Sequence, residues 1–150
     1  MLDLTNCEGK ATATSTSSVS AVAERLIDAT NRHDLDGLVA CFAPGFVNET
    51  PAHPARSFSG LDQVRLNWSR IFASVPDLRA HVTGKAIDGD TAWIEWEMRG
   101  NRVDGSRHLM RGVTIFGVQE GLFAWVRFYL EPVEEAGAGI DQAVTEHLGQ

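Results

Sequence analysis

At Pro76-Asp77 the hydrophobic period of this chain changes from that of helices to that of strands, and no other feature constrains its fold as strongly. Upstream, Val19, Val22, Leu26 and Ile27 recur at helical spacing, and Asn31 to Asp34 interrupts them, with Asp34 placed to cap a second helix. That helix would carry Leu35, Leu38, Val39 and Phe42 on one side and end at Pro44-Gly45. A third stripe, Leu61, Val64, Trp68, Ile71 and Phe72, follows a Ser59 cap with Asp62 three residues on. Downstream, Leu78, Ala80 and Val82 alternate with Arg79, His81 and Thr83. Turns at Asp88-Gly89-Asp90, Asp104-Gly105 and Gln119-Glu120-Gly121 then separate strands at 91–100, about 107–118 and 122–131, and Pro132 closes the last. The pattern predicts an α+β fold: three N-terminal helices packed on a curved antiparallel sheet of four strands or more.

The faces of the strands separate cleanly. Ala92, Ile94, Trp96 and Met98 share one face, as do Leu122, Ala124, Val126, Phe128 and Leu130, and these should meet the helices. The opposite face carries Trp93, Glu95, Glu97 and Arg99, then Phe123, Trp125, Arg127, Tyr129 and Glu131. That face is too aromatic for a wholly solvated surface, so the expectation is a homodimer packed through it.

Composition excludes several classes of function. Asp and Glu outnumber Lys and Arg by 20 to 13 in the 150 residues, and the basic residues are scattered, which argues against nucleic acid and against an anionic membrane surface. No long apolar run suggests a transmembrane segment. Cys7 and Cys41 make no disulfide framework, and the opening twenty residues lack the basic and apolar regions of a secretory signal, so a cytoplasmic chain with reduced thiols is expected. Residues 1–18 read as a disordered tail, 19–132 as the folded domain, and 133–150 as a C-terminal tail with Ile140, Val144 and Leu148 at helical spacing. His81 and His108 lack metal-ligand spacing and no glycine-rich phosphate loop precedes a helix, so neither metal nor nucleotide is implied.

"FVNETPAHPARSFSG", from Phe46 to Gly60, places a glutamate, a histidine and an arginine around two prolines, Pro51 and Pro54. It reads either as a surface loop or as the lip of a ligand pocket.

The run "AERLIDATNRHDLDGLVACFAPGFVNETP" resembles the opening of the SnoaL-like polyketide cyclases of the nuclear transport factor 2-like superfamily: helix, N-x-x-D-L-D-x-L, helix, F-A-P, V-N-x-x-P. "VPDLRAHV", "DGDTAWIEW" and "VQEGLFAWVRFYLEP" continue the likeness across Val19 to Pro132. The resemblance implies a cone-shaped α+β fold with a pocket between helices and sheet, a scaffold used by cyclases, isomerases, epoxide hydrolases, dehydratases and binding domains alike.

Ester-cyclase-like members often carry a histidine after V-N; here the place is Glu49, a candidate general base if the cone desolvates it. The resemblance also implies an acidic acid/base residue at the end of the last strand, where Glu131 is the match; by alternation it points away from the cone unless a bulge or rim position redirects it. Limonene epoxide hydrolases, similar in fold, carry an Arg-x-Asp pair and a further Asp where this chain has Trp96, Met98 and Phe128, which argues against that chemistry.

His53 is a candidate proton carrier or an exposed loop residue, and Arg56 a substrate-binding cation or an ion-pair partner of Glu49. Asn67 and Trp68 would form a polar handle and an aromatic wall, and Met98 and Met110 part of an adaptable core or pocket. Arg111 interrupts an apolar strand and needs an acidic partner among Glu95, Glu97 and Glu131. Tyr129 would donate to an oxyanion if it faced inward and serve an interface if it faced outward. The expectation is therefore a cofactor-independent acid/base enzyme acting on a small hydrophobic molecule of polyketide, steroid or terpenoid type, as isomerase, cyclase or dehydratase. The alternative is a non-catalytic binding domain or a dimeric scaffold.

Overall fold

In the computed structural model, which describes residues 5–149 and their side chains from Ser18 onward, helix α1 (Thr5–Arg32) leads into the short α2 (Leu35–Val39) and strand β1 (Phe42–Glu49). A 3-10 turn at Pro54–Arg56, β2 (Phe58–Ser59) and α3 (Leu61–Ser74) follow. The chain then runs through β3 (Arg79–Asp88), β4 (Thr91–Asn101), β5 (Arg107–Gln119) and β6 (Leu122–Pro132) to α4 (Ile140–His147). Much of the tail expected over 1–18, including Cys7, falls outside the residues whose side chains are described. No described helix is long and apolar enough to cross a membrane.

The four expected strands form one side of a six-stranded sheet ordered β2-β1-β6-β5-β4-β3. Every neighbouring pair is antiparallel except β1 and β6, which run parallel, so the sheet is mixed rather than purely antiparallel. The second helix is shorter than its apolar spacing suggests, because Phe42 already belongs to β1, where it pairs with Phe123. Pro44 is tolerated inside that strand because the β1–β6 register shifts between Phe42 and Val47, leaving its missing N–H without a ladder role.

Helix α1 turns its Val19, Val22, Ala23, Leu26 and Ala29 into the core, against the inner face of the sheet. It ends in a Schellman motif: Asp34 N–H donates to the Ala29 carbonyl at 2.9 Å and His33 N–H to Thr30 at 3.1 Å, with His33 at φ 54° where glycine is usual. The His33 ring offsets that conformation by stacking on Phe72, centroids 4.7 Å apart, and by hydrogen bonding through Nε2 to the Leu78 carbonyl at 2.9 Å. Asp34 then caps α2 as read, its Oδ1 accepting from Gly37 N–H at 3.0 Å. Asn31 ties the helix to the sheet edge: its amide donates to the Ala80 carbonyl and accepts from the Ala80 N–H, at 3.1 and 2.7 Å. The N-x-x-D motif is thus structural, closing both α1 and the exposed edge of β3.

Two sequence expectations need correction here. The N-cap of α3 is Gly60, at φ 90°, not Ser59, and no side chain caps it; Ser59 instead pairs with Val47 in the sheet. Phe123 is fully buried, although strict alternation puts it on the outer face. A bulge explains this: the β5–β6 register shifts after Gly117, so Val118 faces Phe123 while Gly117 faces Trp125. Farther along, Gly112 has φ 153°, and a Cβ there would lie 2.9 Å from the Leu130 Cα and closer still to the Tyr129 carbonyl oxygen. Only glycine lets β5 and β6 approach at that point. At the C-terminus, Ile140, Val144 and Leu148 of the α4 segment lie exposed.

Candidate functional site: a neutral cavity between helices and sheet

Strand alternation builds the floor of the site. In β1, Phe46 and Asn48 are buried on the inner side and Val47 and Glu49 are exposed on the other. Phe42 and Phe46 meet edge to face at 4.7 Å, Phe58 lies 6.3 Å from Phe46, and Phe116 packs on Phe123 at 4.2 Å. Helix α3 closes the space from above with Val64, Asn67 and Trp68, one helical turn apart, and β4–β6 supply Trp96, Thr114 and Phe128. The partly open cavity has a volume of about 60 Å³.

Its polar groups are few and uncharged. Asn48 donates through Nδ2 to Thr50 Oγ1 at 3.1 Å, and Gln63 donates to Asn67 Oδ1 at 2.7 Å, which orients the Asn67 amide. Trp96, 3% exposed, and Thr114, 0% exposed, line the cavity, and Trp96 Nε1 and Thr114 Oγ1 are buried without a hydrogen-bond partner in the protein. No group of three His, Cys, Asp or Glu able to hold a metal occurs among the described residues.

The residues singled out from the sequence divide into three sets. Asn67, Trp68, Trp96 and Phe128 line the cavity. Met98 is buried in the core and Met110 packs against it, neither lining the cavity. The remaining candidates lie outside. Glu49 is exposed, in register with Arg127 on the outer face of the sheet, because the inward position of β1 belongs to its neighbour Asn48. Arg56 is exposed in the 3-10 turn, and no ion pair joins it to Glu49 among the described residues.

His53 and Glu131 do meet, Nε2 to Oε1 at 3.1 Å, both side chains about two-fifths exposed. Glu131 stands three residues beyond Phe128, about 10 Å along the strand at 3.3 Å per residue. Tyr129 is 40% exposed on the outer face. Arg111 finds its acidic partner across the strand pair: its Nε donates to Glu97 Oε2 at 2.6 Å, and Arg99 donates to the other carboxylate oxygen. Glu97 is only 6% exposed beneath these two side chains, and hydrogen bonds from Arg111, then Arg99, hold its carboxyl below the usual carboxylate range. Cys41 is buried below the site, and burial pushes its thiol up.

Sequence reasoning missed Asn48, Thr114 and the phenylalanine wall. The signal for Asn48 was present as the two-residue alternation of Phe46, Asn48 and Thr50 in a stretch that its prolines marked as loop.

A cone of helices over a mixed sheet, with an uncharged cavity between them, defines a nuclear transport factor 2-like domain. The SnoaL-like domain family matches residues 23–126, and the chain belongs to that family. Similar solved structures include a Jannaschia sp. CCS1 protein assigned as a SnoaL-like polyketide cyclase, with 18% identity over 86% of this chain and 90% of that one and a TM-score of 0.66. A Kribbella flavida protein assigned as a ketosteroid isomerase is 20% identical over 88% and 87%, with a TM-score of 0.63. An LEH-like epoxide hydrolase from M. tuberculosis is 16% identical over 77% and 84%, with a TM-score of 0.66. At these identities the likeness establishes the fold. No curated protein matches the sequence.

Proposed function

We infer that the cone binds a small, neutral, hydrophobic molecule and holds it without acid/base chemistry of its own. The carrying observation is that none of the thirteen residues lining the cavity ionises near neutral pH. A general base must come within about 3 Å of the proton it removes, directly or through one water. Glu49 faces away from the cavity, which favours the binding-domain reading over the isomerase, cyclase or dehydratase reading. The positions where limonene-type hydrolases hold charge are occupied by Trp96, Met98 and Phe128, which supports the same view. The volume of about 60 Å³ is well below the ~300 Å³ at which drug-sized pockets begin, so a compact molecule fits better than a polycyclic one.

The test uses the quenching of Trp68 and Trp96 fluorescence by a panel of compact neutral and charged molecules. Saturable quenching by neutral members alone, unchanged in Glu49→Gln, is expected. Turnover of any bound member that disappears in Glu49→Gln would overturn the reading.

A second reading rests on the His53–Glu131 contact, an acid/base pair at the rim that a longer molecule emerging from the cone would reach. The outer face supports self-association: Val47, Trp93 and Tyr129 are each about 40% exposed there, and the proposal is a homodimer through this face.

A further inference from the structure

The cavity is apolar except at a few points, and two of those points are unusual. A buried polar group nearly always has a partner, because leaving it unpaired forfeits its hydration with nothing in return. Trp96 Nε1 and Thr114 Oγ1 both lack one, both are inaccessible from outside, and both belong to residues lining the same cavity. They are also neighbours. Trp96 pairs with Gly112 and Ile94 with Thr114, so the two side chains are diagonal on the inner face of β4 and β5, within mutual reach of an aromatic ring. Gly112 contributes no side chain beside the indole, for the backbone reason given above.

An indole N–H only donates, and a hydroxyl both donates and accepts. Nearby, the Asn67 Oδ1 is already taken by Gln63, which leaves its Nδ2 as another donor at the cavity. Asn48, whose Nδ2 donates to Thr50, adds its Oδ1 as an acceptor, so the set offers more donors than acceptors and holds no charge. A carboxylate would suit donors but would be buried without a cation, at high cost. A carbonyl oxygen suits it: two lone pairs in a plane accept from two donors, and the rest of the molecule meets phenylalanine and valine.

Resting on the reading of the cone as a binding site, we propose that Trp96 and Thr114 form a carbonyl-oxygen subsite, and that the ligand is a compact neutral ketone, aldehyde or ester. In its present shape the cavity of about 60 Å³ admits roughly four to six non-hydrogen atoms, counting 10–15 Å³ for each water-sized group. Cyclopentanone is the size of probe this calls for.

The experiment titrates the ¹⁵N-labelled protein with cyclopentanone, cyclopentanol and cyclopentane, comparing the wild-type chain with Thr114→Val, which keeps shape and removes the hydroxyl. The Trp96 indole signal is assigned by its loss in Trp96→Phe or, if that variant does not fold, by replacing the other three tryptophans singly. The ketone should move the Trp96 Nε1–H signal downfield. Thr114→Val should weaken the ketone about 3- to 10-fold and leave cyclopentane unaffected. If cyclopentane enters but the ketone leaves the indole signal unmoved and is indifferent to Thr114→Val, the oxygen subsite is wrong while the binding cone survives. If the alcohol shows the larger shift and the larger loss, the carbonyl assignment is wrong. If none of the three enters, the cone reading falls and the subsite with it.

Discussion

Asn31→Ala should cost more than any other substitution of a half-exposed side chain in this protein. The Asn31 amide satisfies both main-chain groups of Ala80, a residue only 6% exposed on an edge strand with no strand beyond it. Truncation leaves a buried N–H and a buried carbonyl unpaired, each worth about 1–3 kcal/mol when nothing replaces the bond. Asn31 is itself half-buried, so water will reach part of the gap and the low end applies. Alanine returns about 0.6 kcal/mol through helix propensity. The net loss is about 1.4 kcal/mol, which lowers a urea midpoint by about 0.7 M for an m-value near 2 kcal/mol/M.

Asn31→Asp is the informative companion. It preserves size and the acceptor for Ala80 N–H, but sets a carboxylate oxygen against the Ala80 carbonyl in place of a donor, and should be destabilising at pH 7 by at least as much. Urea unfolding followed by tryptophan fluorescence and by far-UV circular dichroism measures both. A midpoint shift below about 0.25 M in Asn31→Ala, with the m-value unchanged, would refute the view that this side chain closes the sheet edge.

Glu97 makes stability depend on acid. Its folded pKa lies below its ordinary 4.5, so its contribution is complete above that value and is lost as the pH falls through the folded pKa. Thermal melts from pH 3 to 7 should therefore show a shallower acid limb in Glu97→Gln than in the wild-type chain; equal slopes below pH 4.5 would contradict the Arg111–Glu97–Arg99 arrangement as its source. Self-association through the outer face is checked by sedimentation velocity at micromolar concentration, where the wild-type chain should sediment as a dimer and Tyr129→Arg as a monomer. A wild-type monomer would remove the interface.

Amino-acid order alone determined the frame around β3 to β6. Their alternation and the Asp-Gly turns between them act over two to ten residues, and the observed strands begin and end within a few residues of those read. The Asp34 cap was legible for the same reason, since donor and acceptor lie three residues apart.

Tertiary structure decided what depended on distant partners. Phe42 to Glu49 is a strand because β6, about eighty residues away, offers it a parallel ladder, and that pairing turns Asn48 rather than Glu49 toward the cavity. A single bulge past Gly117 sends Phe123 into the core. Arg111 had three acidic partners open to it in the sequence, and cross-strand register selected Glu97. Local periodicity states which residues share a face; only the register between strands states which face encloses the cavity, because a shift of one residue reverses every side chain that follows.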